Sequence, residues 1–99
     1  MPHYFCRLIP PRPDFADTMS PEEGRLMQQH VAYWLQMMDR GRVIVFGPVA
    51  DPRGNYGLAI LSLEDGEDPQ AVTTRDPTIE AGVGFSYEIA PMPRVVTRP

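Results

Sequence analysis

Hydrophobic residues along the chain fall into stretches of two kinds. Stretches of the first kind are rich in aromatic and β-branched side chains and are separated by turn-forming residues, which is typical of strands. They are residues 3–9, 42–49, 56–63 and 84–90. Between residues 26 and 38, apolar side chains recur every three or four positions, which is the period of a helix. The pattern therefore predicts four strands and one long helix.

The long helix has a recognisable start and end. Ser20 precedes Pro21, and Glu23 follows the serine by three residues, so we expect the serine to cap the helix and the proline to occupy its first position. The helix runs to about Arg40 and ends at Gly41. At helical spacing, one face carries Met27, Val31, Trp34 and Met38, and the opposite face carries Arg25, Gln29, Gln36 and Arg40.

Two Asp-Pro pairs predict short helical segments in the second half of the chain. Asp68-Pro69 begins a segment that reaches Arg75. Asp76-Pro77 begins a further turn, which Gly82 ends. These segments lie between the third and the fourth predicted strand.

The order of elements is therefore β-α-β-β-α-β. Residues 50–55 have the turn chemistry of a hairpin loop, so the two middle strands are expected to pair antiparallel. This order predicts a ferredoxin-like α+β fold, with a four-stranded antiparallel sheet and helices on one face. We expect a single domain over residues 1–99, because the chain is too short for a second core.

Both alternating sets of residues are apolar in the middle strands. Leu58 and Ile60 face one side of the third strand, and Ala59 and Leu61 face the other. A sheet with one solvated face alternates apolar with polar residues, so we expect both faces of this sheet to be buried. Since the helices cover one face, a second copy of the chain is expected to cover the other, as a homodimer in the form of a dimeric α+β barrel.

Composition narrows the classes of partner. The net charge is -4 and there is no basic run, so nucleic acid is not an expected partner. The sequence has no signal peptide and no stretch long enough to span a bilayer, so we expect a cytoplasmic protein without a membrane partner. Cys6 is the single cysteine and lies in a predicted strand, where a packed, unreactive thiol is expected; an internal disulfide is impossible, and the sequence has no Cys/His metal pattern.

His30 is the main candidate for chemistry, because it interrupts the apolar face between Met27 and Trp34. Two interpretations are open. The imidazole could bond a backbone carbonyl and serve only in packing, because a buried polar group needs a partner. Alternatively, a carboxylate could hold one ring N–H and leave the other nitrogen facing a cavity as a general base.

Asp76 is the candidate carboxylate, and it too has two interpretations. Aspartate before proline is ordinary capping chemistry, but this residue lies just before the last strand, where the chain returns over the first helix. The two roles are compatible, since a carboxylate has several lone pairs. Arg7 and Tyr87 are candidates for either the pocket or the dimer face. The apolar residues expected near the pocket are Trp34, Met37 and Phe46.

These positions resemble a known family. The order and spacing of five features resemble those of the YCII-related (YciI-like) proteins: His30, Gly47-Pro48, Gly57, Asp76-Pro77 and Ala81-Gly82. The resemblance implies a ferredoxin-like chain that dimerises through its sheet, with the family's histidine at His30 and its aspartate at Asp76. The stretch GEDPQAVTTR departs from the family, because it lacks the alanine-rich helix usual there.

The resemblance also implies a type of reaction. A characterised relative is similar to a cofactor-independent dehydrochlorinase that acts on a chlorinated hydroxyquinol. We therefore expect a small-molecule enzyme without cofactor or metal, in which a catalytic dyad of His30 and Asp76 transfers a proton on a small cyclic or phenolic substrate, as in lyase or isomerase chemistry. The alternative is a non-catalytic, dimeric module that binds a small molecule or serves a neighbouring protein.

Overall fold

The structure, a computed structural model, describes residues 1–99. Its elements in chain order are β1 (His3–Ile9), α1 (Phe15–Thr18), α2 (Pro21–Asp39), β2 (Val43–Val49), β3 (Tyr56–Ser62), α3 (Pro69–Thr73), α4 (Pro77–Glu80) and β4 (Ser86–Met92). The strands form one antiparallel sheet in the order β2-β3-β1-β4. The predicted ferredoxin-like α+β fold is confirmed.

Helix α2 begins and ends as its sequence predicts. Ser20 Oγ accepts a hydrogen bond from the Glu23 backbone N–H at 3.1 Å, and the Glu23 carboxylate accepts one from the Ser20 backbone N–H at 2.9 Å. Gly41 follows the helix with a φ of 74°, which favours glycine. Val31 departs from the predicted buried face, because its side chain is 43% exposed.

Two parts of the chain differ from the prediction. Residues 15–18 form the short helix α1 where a plain loop is expected, and the buried side chain of Phe15 anchors it. Strand β4 begins two residues late, because Gly84 has a φ of 104°, and it continues past Pro91. Proline is tolerated there because β4 is an edge strand, where a backbone N–H can be spared.

The core lies between α2 and the sheet. Trp34 and Met37 of α2 pack with Cys6 of β1 and Leu61 of β3, and all four are buried. Burial raises the pKa of the Cys6 thiol to about 12, so the thiol stays protonated and packs as a small apolar group.

The face of the sheet opposite the helices has an apolar centre. Phe5 of β1 pairs with Ile60 of β3, which pairs with Val45 of β2, and neighbouring residues on each strand point to the helix side. Val45 is 46% exposed.

No helix in the structure combines the length and the apolar character that crossing a bilayer requires.

Candidate functional site

His30 and Asp76 meet although 46 positions separate them in the chain. His30 Nδ1 lies 2.7 Å from Asp76 Oδ2, which is hydrogen-bonding distance. The His30 side chain is 12% exposed and the Asp76 side chain is completely buried. The structure thus brings the two candidate residues together, while their catalytic role stays a prediction.

The Asp76 carboxylate accepts hydrogen bonds at both oxygens. Besides His30, Oδ2 accepts from Trp34 Nε1 at 2.8 Å and from the Tyr87 hydroxyl at 2.5 Å. Oδ1 accepts from the Thr78 backbone N–H at 2.9 Å and from the Thr78 hydroxyl at 2.8 Å. Since a carboxylate offers about four lone-pair positions, these donors occupy it fully.

Local structure carries Asp76 to this position. Its bonds to Thr78 cap α4, so the capping role and the contact with His30 are both present. Segment α3 has only five residues and ends before the predicted limit at Arg75. The hydroxyl of Tyr33, in α2, donates a hydrogen bond to the Val72 carbonyl at 2.6 Å and so joins α3 to α2. Asp76 comes four residues after Val72, on the side of α3 that faces α2.

The environment keeps Asp76 ionised. Burial by itself raises the pKa of this carboxyl group, but the hydrogen bond and charge of His30, with the bonds from Tyr87 and Trp34, outweigh it and leave the pKa below its usual value. An ionised carboxylate only accepts, so Nδ1 of His30 must carry the proton. In the neutral imidazole, Nε2 is then the unprotonated nitrogen.

A cavity of about 260 Å³ lies beside His30, between the sheet and helices α1 and α2. Its walls are mainly apolar and include Phe15, Met27, Val31, Trp34, Phe46, Phe85 and Tyr87. His30 is one of the lining residues, and its Nε2 has no hydrogen-bond partner within the chain and is not sealed in the interior. An imidazole nitrogen with a free lone pair in an apolar cavity can accept a proton from a bound molecule.

The remaining candidates divide between the site and other places. Trp34 and Phe46 line the cavity as predicted, but Met37 does not, because it points into the core beneath α2. Tyr87 belongs to the cavity and to the Asp76 network. Arg7 lies instead on the opposite face of the sheet, where its guanidinium stacks on Tyr56.

The sequence reasoning missed several site residues. Helix α1 supplies Phe15, which packs edge-on against Phe85 with ring centres 5.2 Å apart. Thr78 and the indole N–H of Trp34 were not expected as partners of Asp76. A threonine two residues after a capping aspartate is a usable signal, because that position donates its backbone N–H to the cap.

Two of the four acidic residues in loop 64–68 have local structural partners. Glu67 pairs with Arg42, and Asp68 caps α3 by accepting from the Gln70 backbone N–H. Nowhere in residues 1–99 do three or more His, Cys, Asp or Glu side chains gather in a group suited to a metal ion.

Comparison with solved structures finds a formyltetrahydrofolate deformylase from Pseudomonas putida KT2440. The two align with a TM-score of 0.42 and 10% sequence identity, over 91% of this chain and 28% of that chain. The chain therefore corresponds to well under a third of that structure. No curated protein matches the chain significantly.

Comparison with protein-family models gives a clear result. The model of the YCII-related domain matches residues 3–93, from the start of β1 to just beyond the end of β4. The match includes His30, Asp76 and every element that surrounds the cavity. The chain belongs to the YCII-related family.

Proposed function

We propose that the protein is a cytoplasmic enzyme that transfers a proton on a small cyclic or phenolic molecule, with His30 as general base and Asp76 as its partner. The observation that carries this proposal is the pairing of His30 Nδ1 with a buried carboxylate, in a side chain that lines an apolar cavity and whose Nε2 has no partner within the chain. A histidine that served only in packing would not require a cavity beside its side chain.

The chemistry follows from the charges in the site. Nε2 takes a proton from a C–H or O–H group of the substrate, and the imidazolium that forms is stabilised by the ionised Asp76 at 2.7 Å. Nε2 then returns the proton to another atom of the substrate, which is an isomerisation, or to a departing group, which is an elimination. Neither sequence of steps leaves an electron or a proton unaccounted for.

The cavity limits the substrate. An apolar cavity of about 150 Å³ accommodates benzene, so about 260 Å³ leaves room for a substituted single ring or a compact fused pair. Burying a charge against these apolar walls would be costly, so the part of the substrate next to His30 should be uncharged. Both limits fit a cyclic or phenolic body.

Proton transfer can be tested without the natural substrate. We expect the protein in D₂O to accelerate the exchange for deuterium of the acidic C–H protons next to the carbonyl group in cyclic ketones that bind the cavity, as followed by ¹H NMR. Binding is established first from chemical-shift changes at Trp34 and Tyr87. Bound compounds that exchange no faster than in buffer alone would contradict the enzymatic proposal.

A second function has support in the same network. Asp76 is saturated by donors from α2, α4 and β4, so it also acts as a structural anchor that joins these elements. A module that only binds a small apolar molecule would use the same cavity and anchor. It would bind the cyclic probes without accelerating their exchange.

We also propose that the protein is a homodimer, formed through the face of the sheet opposite the helices. The support is the apolar centre of that face, formed by Phe5, Ile60 and the exposed Val45. Light scattering at micromolar concentration should give twice the chain mass of 11.1 kDa.

A variant pair makes this prediction specific. Val45→Asp places a charge in the apolar centre and should shift the mass toward one chain. Val96→Asp, in the tail where the side chain is 93% exposed, should leave the mass unchanged. A wild-type mass equal to one chain would contradict the proposal.

A further inference from the structure

Arg7 of β1 has an unusual environment. Its Nε is buried without a hydrogen-bond partner in the chain. The nearest acidic atom, Glu88 Oε1, is 3.9 Å from Nε, which is beyond hydrogen-bonding distance, and the Glu88 side chain is 70% exposed. Nε itself is sealed from ligands, but the Arg7 side chain as a whole is 37% exposed, so the rest of its guanidinium can be reached from outside the chain.

The Arg7 guanidinium lies at a second hollow. Its central carbon is 4.1 Å from the centre of the Tyr56 ring, so the side chain leans along the sheet toward the start of β3. The hollow there has a volume of about 210 Å³, and the polar and aromatic residues of its wall are Arg7, Arg12, Arg53, Asn55 and Tyr56. The rest of the wall is Ile9, Gly54 and three prolines, whose fixed φ angles make it stiff.

The three arginines of this basic hollow are not equally available. Arg12 is held by Glu23 at 2.7 and 2.9 Å and by Thr18. Arg53 is 91% exposed and contacts Asp51 only at 3.4 and 3.5 Å, near the limit of a hydrogen bond. No carboxylate lines the hollow, so Arg7 and Arg53 are the cations free to meet a ligand.

The basic hollow and the apolar cavity are neighbours. Pro10, Asn55 and Tyr56 line both of them. Asn55 uses its side-chain oxygen to accept from the Asp51 backbone N–H, and its NH₂ group keeps its donors for another partner. The two spaces therefore adjoin at one end of the sheet, where β1 ends and β3 begins.

We propose that the basic hollow binds the carboxylate of a small organic acid whose uncharged ring lies in the cavity beside His30. A carboxylate suits the site better than a phosphate, because the loop amides are already used: the Arg53 N–H donates to Asp51 Oδ1 and the Gly54 N–H to the Asp51 carbonyl. The available donors are two guanidinium groups and one side-chain amide. The assignment refines the proposed function and rests on it for the position of the ring.

Matched pairs of acids and neutral amides test the assignment. The probes are phenylacetate, 3-phenylpropionate and 4-phenylbutyrate, each compared with its primary amide, and dissociation constants are measured by ¹H–¹⁵N NMR at low salt. We expect at least one acid to bind about tenfold more tightly than its amide, since a charged hydrogen bond contributes more than a neutral one. Arg7→Gln and Arg53→Gln should each reduce that preference, and the double variant should abolish it.

Controls separate this inference from the proposed function. Arg25→Gln, at an exposed position of α2, should leave the preference unchanged. Arg53 lies in an exposed loop, so its variant keeps the test valid even if Arg7→Gln folds poorly. Binding of the neutral amides, seen as shifts of the His30 signals, tests the cavity independently of the basic hollow.

Several results would overturn the assignment. Acids that bind no better than their amides would refute the basic hollow while leaving the cavity proposal intact. A preference that survives in the double variant would place the carboxylate elsewhere. Absence of binding by every acid would also refute it. If Arg7→Gln dissociates a dimer and no acid preference is found, Arg7 serves the interface and the assignment is refuted as well.

Discussion

Replacing Asp76 with asparagine is expected to lower the free energy of unfolding by about 3 kcal/mol, because it disrupts a fully buried acceptor network. An asparagine can keep the two bonds from Thr78 through its oxygen. Its NH₂ group would then face the N–H and O–H donors of His30, Trp34 and Tyr87, which lose their acceptor. Chemical denaturation followed by Trp34 fluorescence measures the change.

The effect of this substitution should depend on pH. The pKa of Asp76 is lowered in the folded protein, so the stability that its ionised form contributes is complete above the pKa of an unfolded aspartate and is lost as pH falls through the lowered value. The difference between wild type and Asp76→Asn should therefore shrink on acidification. Glu23 also has a lowered pKa, at about 2, but it is present in both proteins and cancels in the comparison.

Tyr87→Phe is the matched control for the network. It removes one donor to Asp76 Oδ2 and leaves the others, so we expect a loss of about 1 kcal/mol. Equal stability of the wild type and Asp76→Asn at neutral pH would contradict the account of the anchor.

Replacing His30 with glutamine should reduce deuterium exchange of the bound probes by about 10²- to 10⁴-fold, the range typical of removing a general base. Glutamine keeps a donor that can reach the Asp76 carboxylate, so stability should change by no more than about 1 kcal/mol. The exchange rate is read from ¹H NMR at saturating probe.

His3→Gln is the control for this substitution, since His3 lies at the start of β1 and does not line the cavity. It should leave the exchange rate at the wild-type value. Full activity in His30→Gln would show that another group takes the proton. Equal losses in both variants would point to a contaminating activity or a general effect on folding.

The fold was predictable because local signals and the hydrophobic pattern agree with each other. Ser20, Pro21 and Glu23 mark the start of α2 by short-range hydrogen bonds that any capped helix makes. The elements are separated by residues that allow a change of direction, as at Gly41 between α2 and β2, whose positive φ favours glycine. Helix α1 was not predictable, because four residues carry no periodicity and its anchor is the distant Phe85.

The site was predictable only in part. His30 stands out as a polar residue on an apolar helical face. Asp76 is favoured over the Asp-Pro pairs at 51–52 and 68–69 by its position just before the last strand and by the family resemblance. The donors from Trp34 and Tyr87 depend on the way α2 and β4 pack around the carboxylate, which no local signal specifies. Which ring nitrogen of His30 stays unpaired likewise depends on three-dimensional contacts that no local signal specifies.

The central claim is that Asp76 fixes the proton on Nδ1 of His30 and leaves Nε2 free to accept another. Long-range ¹H–¹⁵N NMR correlation of the histidine ring measures this directly, because the protonated and unprotonated nitrogens of a neutral imidazole have distinct shifts. We predict that the neutral ring of His30 carries its proton on Nδ1 in the wild type and loses this preference in Asp76→Asn. A proton found on Nε2 in the wild type would contradict the account, since the nitrogen that Asp76 does not hold would have no lone pair to offer.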